Sequence, residues 1–184
     1  RTRFRRESLL DLRESLRDRG GDLLVREGRV ETVVPELAEA VDADAVFAQT
    51  KPATEELERE HAVRTALPED TDLERRWTHT LYHIEDLPTP YDQINDTFTP
   101  WRKSVEGSTT VREPVPAPES LPAVDHDPGT IPTLEDLDVP NPETATDGDD
   151  RAVLPFEGGE SAGKARLNDY FWAGDHLREY KETR

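Results

Sequence analysis

Val30-Glu-Thr-Val33-Val34-Pro35-Glu-Leu37-Ala38-Glu-Ala-Val41-Asp-Ala-Asp-Ala45-Val46-Phe47-Ala48 is the stretch that decides the fold. In its first half Val30, Val33, Val34, Leu37, Ala38 and Val41 fall on one face at helical spacing. Pro35 must then sit in the first turn or so of that helix, where a missing N–H costs little. The second half, Ala45-Val46-Phe47-Ala48, is a continuous apolar run of strand length. A run that does not alternate has both sides of its pleat to bury, which is the mark of a parallel sheet covered on both faces.

The same grammar extends in both directions. Upstream, Phe4 to Arg19 reads as an amphipathic helix with Leu9, Leu12 and Leu16 in register, stopped by Gly20-Gly21. Leu23-Leu24-Val25 is then a short strand. Downstream, a helix runs from Thr54, placed as its N-cap, through Leu57 and Val63 to Leu67, and Leu73 to Trp77 is a third strand. The alternation predicts an α/β fold: a truncated, Rossmann-like parallel sheet with right-handed crossovers. The first strand of such a domain would precede Arg1. The chain opens on Arg1 and contains no Met, so it reads as cut from something longer or processed.

Beyond Leu87 the character changes. Eleven of the fifteen prolines lie between Pro88 and Pro142, and Glu113-Pro-Val-Pro-Ala-Pro118 can hold neither a helix nor a central strand. Thr97 to Val105 is predicted as a short helix broken by Pro100. An extended connector follows, ending in the acidic tether Thr144 to Asp150. Order returns with the apolar run Ala152 to Phe156, the turn Glu157 to Glu160, a helix carrying Leu167, Tyr170 and Phe171, and a last helix from Asp175 through Leu177 and Tyr180. The expected division is an α/β domain over 1–112, a connector over 113–150 and the start of a helical domain over 151–184.

Charge narrows the setting. Forty-one Asp and Glu face 23 Lys and Arg, a net charge of −18, and Lys supplies only four of the cations. At ordinary salt such a chain repels nucleic acid and anionic membranes. An acidic, Lys-poor surface also suits molar salt, where the Debye length falls to about 3 Å and self-repulsion is screened. We read the acidity as a halophilic adaptation, which leaves a DNA substrate open, because a basic groove could lie elsewhere in the parent protein. With no Cys there is neither a disulfide framework nor a thiolate metal site, in keeping with the cytoplasm. No apolar run approaches the roughly 20 residues that span a bilayer.

Several constellations invite a chemistry. Gly158-Gly-Glu-Ser-Ala-Gly163-Lys164 matches the phosphate-binding G-x-x-x-x-G-K, but Ala165 supplies no hydroxyl for Mg²⁺, and Glu160 would place a carboxylate in an anion loop. A Gly-rich start to a helix is the plainer reading. His79 and His83 are four apart, yet they lie in a strand-to-loop region without a third ligand, so a loop imidazole with a local hydrogen bond is expected. His61, His126 and His176 have no partner that sequence identifies. Arg1, Arg3, Arg5 and Arg6 are as well explained by a solvated helix face as by phosphate contacts. Trp101, Tyr170, Phe171, Trp172 and Tyr180 read most simply as core packing. These residues alone reach no reaction.

Three further segments, in order, resemble the DASH branch of the photolyase/cryptochrome family. They are Trp77-Thr-His-Thr80-Leu81-Tyr82-His83 with Asp86-Leu87-Pro88; Phe98-Thr99-Pro-Trp-Arg102-Lys103-Ser-Val105-Glu106; and Phe156-Glu-Gly158-Gly159-Glu160-Ser-Ala-Gly163 with Arg166-Leu167, Tyr170-Phe171-Trp172 and Tyr180-Lys181-Glu182-Thr183-Arg184. Pro100-Trp101 and Thr89 depart from the family's pattern.

The resemblance implies an α/β domain holding a methenyltetrahydrofolate-like antenna pigment, joined by a long connector to an all-helical FAD domain. It further implies that the parent repairs cyclobutane pyrimidine dimers, preferentially in single-stranded DNA, by light-driven electron transfer from reduced FAD. Carried to single residues, it places Tyr180 at the edge of the flavin phosphate site and Glu55 or Glu56 beside the folate pterin, although both carboxylates also suit an exposed first helical turn. Glu160 and Arg184 fall in matching motifs without an assigned role. No catalytic residue is implied in this chain. A signalling cryptochrome without repair activity and a non-catalytic nucleotide-binding α/β module are the alternatives.

Overall fold

The computed structural model of the chain describes residues 1–94, 96–139, 156–174 and 176–178. Its elements are α1 (Thr2–Arg17), α2 (Val30–Ala40), β1 (Ala45–Gln49), α3 (Thr54–Ala66), β2 (Asp72–Arg76), α4 (Phe98–Ser108) and α5 (Glu160–Asn168). Single 3₁₀ turns occupy Ile84–Asp86 and Tyr91–Gln93, and a π-helical turn, Asp169–Ala173, continues α5. The predicted apolar run Ala152 to Phe156, except Phe156 itself, and most of the predicted last helix lie outside the described residues. The chain separates into two compact units, one of residues 27–116 and one of residues 1–26 with 117–184.

In the unit of residues 27–116, β1 and β2 pair in parallel with Val46 opposite Leu73 and Phe47 opposite Glu74. The α/β reading is therefore correct. Alternation along the pleat sends Val46 and Leu73 toward α2 and α3, where they meet the buried Ala38, Val63 and Leu67. On the opposite face Phe47 is 68% exposed, with the Arg76 guanidinium 5.4 Å from its ring centre. Here the helices cover one face of the pair.

Three local expectations are revised in this unit. Pro35 is the sixth residue of α2, not part of its first turn; its buried ring forgoes one bond to the preceding turn and gains packing instead. Ala53, extended at φ −87°, is the N-cap of α3, and Thr54 is already helical. Pro100 does not break a helix: it is the third residue of α4, where the N–H has no partner within the helix.

In the unit built on α1, the helix ends as Gly20-Gly21 predicts. Gly20 takes φ +92°, and Gly20 and Gly21 return their N–H groups to the carbonyls of Arg17 and Leu16. The predicted strand Leu23-Leu24-Val25 does not form, because no strand among the described residues offers it a ladder. Its backbone is satisfied otherwise: the Val25 N–H donates to the Pro128 carbonyl at 2.8 Å, and the Leu23 carbonyl accepts from Arg13 at 2.7 Å. Residues 117–133 run without regular structure over this surface. Leu121 N–H donates to Arg19, and the carbonyls of Pro128 and Pro132 accept from Arg13 and Arg6. A proline lacks a donor but keeps its carbonyl, so a Pro-rich strap can still be tied down by arginines.

Candidate functional site

The sharp turn at Pro52-Ala53 brings the first turn of α3 to the carboxyl end of β1, the edge at which open α/β sheets gather ligands. A cavity of 330 Å³ lies there, floored by Val34, Val46, Val63 and Leu73 and reached by Gln49, Lys51 and Glu56. Helical spacing places Glu56, Glu60 and Val63 on its wall. Glu60 is already engaged, accepting from Thr50 Oγ1 at 3.2 Å and from Arg75 at 3.1 Å. Glu56 is half-buried and accepts no hydrogen bond from another described residue, so its acceptor capacity faces the cavity. Glu55, its neighbour in the same turn, is exposed and is not part of the lining.

An apolar floor with one unpaired carboxylate at a helix N-terminus fits a flat ring whose edge carries N–H donors, as a pterin's does. The volume is at the low end of the roughly 300–1,000 Å³ typical of ligand sites, room for a ring system without a long tail. Tyr180, the residue expected beside flavin phosphate, lies outside the described residues, as does Arg184.

The Gly-rich segment has no vacancy for a phosphate. The Gly158 N–H donates to Glu7 Oε2 at 2.8 Å, Gly159 to Ser8 Oγ at 3.0 Å, and Glu160 and Ser161 to Asp11 Oδ2 at 2.8 and 3.3 Å. The donors that a P-loop would turn to phosphate are filled by three side chains on one face of α1. A Cβ at position 158 would lie 2.0 Å from the Phe4 carbonyl oxygen, and one at 159, where φ is +110°, 2.7 Å from Asp11 Cβ. The glycines permit close helix contact. Glu160 itself pairs with Lys164 one turn on, at 2.9 Å.

His83 behaves as a loop imidazole, its Nδ1 accepting from the Glu85 N–H at 3.3 Å, and the His79 ring lies 4.6 Å from that of Trp77. Among the described residues no cluster of three metal-ligating side chains occurs. His176 faces Asp169 at 3.3 Å, while His61 and His126 are exposed. In the π-helical turn after α5, Tyr170 and Phe171, and Phe171 and Trp172, touch ring to ring; Tyr170 is half-buried, whereas Trp172 is 71% exposed. The clamp of Glu7, Ser8 and Asp11 was not anticipated, although an acceptor-bearing face opposite a Gly-Gly helix start is a visible signal.

Residues 1–119 match the family model described as DNA photolyase. The chain is 62% identical to a cryptochrome DASH of Natronomonas pharaonis over 183 residues, which is 98% of this chain and 38% of that protein. The crystal structure of a Synechocystis cryptochrome superposes over 100% of this chain and 38% of its own length, with a TM-score of 0.86 at 37% identity. A class III photolyase from Agrobacterium tumefaciens shares the fold at a TM-score of 0.70, 22% identity and 91% coverage of this chain, 34% of its own. The chain thus spans 38% of the length of the first two relatives.

Proposed function

Because the chain belongs to the DNA photolyase family, we propose that it is the antenna-binding portion of a cytoplasmic, blue-light-dependent flavoprotein of the cryptochrome DASH type, one that repairs cyclobutane pyrimidine dimers in single-stranded DNA. The observation that carries this reading is likeness to cryptochrome DASH proteins along 98% of the chain. Within the proposal, residues 1–112 form the antenna domain, 113–150 the connector and 151–184 the start of the FAD domain, with Tyr180 beside the flavin. Bound FAD would supply the light-driven electron.

The described residues have a narrower task. Glu56 accepts from the N–H edge of a folate pterin, while Val34, Val46, Val63 and Leu73 keep water from the ring. Glu55, on the outside of the same turn, contributes field but no contact. Titration of the full-length protein with methenyltetrahydrofolate tests the assignment by the pigment's absorption. Glu56→Gln should weaken binding by about tenfold, the loss of one charge-assisted hydrogen bond, and Glu55→Gln should not. Equal binding by Glu56→Gln and the wild type would remove the pigment from this cavity.

A further inference from the structure

A second and larger cavity lies at the carboxyl end of β2, within the unit of residues 27–116. Its volume is 670 Å³, and four arginines, Arg64, Arg75, Arg76 and Arg112, reach it in a chain whose net charge is −18. Its aromatic wall is Trp77, whose indole N–H donates to Thr80 Oγ1 at 2.9 Å, with the Tyr91 ring stacked beside it at 6.2 Å and 27°. Tyr91 is 61% exposed, so one ring face is open.

The arginines are positioned but not exhausted. Arg75 gives one contact to Glu60; Arg76 donates to Glu74 and to the Arg75 carbonyl and lies over Phe47; Arg112 gives two contacts to Asp86 at 2.6 and 2.8 Å and pairs with Glu85 at 3.6 Å. Each guanidinium has five N–H donors, so donors remain on all three. Arg64, exposed on α3, has no partner among the described residues. The carboxylates on the wall itself are Glu74 and Glu85.

We propose that this cavity binds a free nucleoside monophosphate, its base on the Tyr91–Trp77 wall and its phosphate on Arg64 with the remaining donors of Arg75 and Arg112. Stacking on an aromatic ring tolerates any base, and guanidinium forks match phosphate oxygens. A concave volume of this size holds one nucleotide instead of tracking a strand. The site shares the Leu73 wall with the Glu56 cavity but draws its donors and its aromatic surface from other residues, and it does not depend on the pigment assignment.

Equilibrium binding of adenosine 5′-monophosphate to the full chain, followed by tryptophan fluorescence at one fixed salt concentration, tests the proposal, since phosphate contacts weaken with salt. Saturable quenching is expected, with adenosine and inorganic phosphate each binding at least tenfold more weakly. Arg64→Gln and Tyr91→Ala, both at exposed positions, should each weaken binding by about tenfold while circular dichroism stays unchanged. Glu56→Gln should leave it as in the wild type. Absence of saturation, adenosine binding as tightly as the monophosphate, or indifference to both variants would each overturn the proposal.

Discussion

Asp11 and Glu7 are the residues on which the α1–α5 contact turns. The Ser161 hydroxyl, with the Ser161 and Glu160 N–H groups, holds Asp11 below its ordinary 3.8; the Arg3 guanidinium and the Gly158 N–H hold Glu7 below 4.5. Both pKa values are depressed on folding. Their stabilisation is therefore complete above the ordinary values and is lost as pH falls from about 4.5 through the depressed ones. Asp11→Asn should be less stable at pH 7 and should show a shallower loss of melting temperature between pH 5 and pH 2. A variant with the wild-type slope would mean that this carboxylate is not what anchors α5. The Gly-Gly start was legible in sequence as a helix beginning, but its partners, some 150 residues away, could not be read from spacing.

At the level of elements, periodicity carried most of the information. Helices α1, α2 and α3 fall within two residues of their apolar patterns, and β1 and β2 lie where short apolar or mixed runs sit between them. The pattern failed where a tertiary partner decides the outcome. Leu23-Leu24-Val25 has strand composition, yet a strand exists only as part of a ladder, and its polar groups go to Arg13 and Pro128. Pro35 and Pro100 were misjudged for a related reason: what a proline costs depends on the position it takes in the helix, and boundaries are the least readable feature. The cavity arginines, drawn from α3, β2 and the segment after α4, have no linear signature.

Packing of α2 and α3 on β1 and β2 rests on few buried side chains. Leu67→Ala, at one of the three buried positions of that cluster with 9% exposure, should cost roughly 2–5 kcal/mol in chemical denaturation, toward the lower end if α3 settles inward. A cost within 0.5 kcal/mol of zero would mean that this small core does not hold the unit together.

For the whole molecule, charge and connectivity set the terms. A net charge of −18 on 184 residues opposes compaction at low salt, where the Debye length is about 10 Å at 0.1 M, against about 3 Å at 1 M. The melting temperature should rise steadily from 0.1 to 2 M KCl. A flat or falling profile would remove the halophilic interpretation of the acidic surface. Among the described residues no helix is long and apolar enough to cross a membrane. Composition and three motif segments were enough to reach the family from sequence. Residue roles were not, because Glu55 and Glu56 are told apart only by which of them faces the cavity.

The most direct measurement is the action spectrum of dimer repair in single-stranded DNA by the full-length protein and by Glu56→Gln, with the flavin reduced in both. Light-dependent loss of dimers is predicted for both proteins, with an antenna band beside the flavin band in the wild type and a diminished antenna band in Glu56→Gln. Intact dimers at every wavelength, with flavin bound and reduced, would contradict the repair function and leave a photoreceptor in its place.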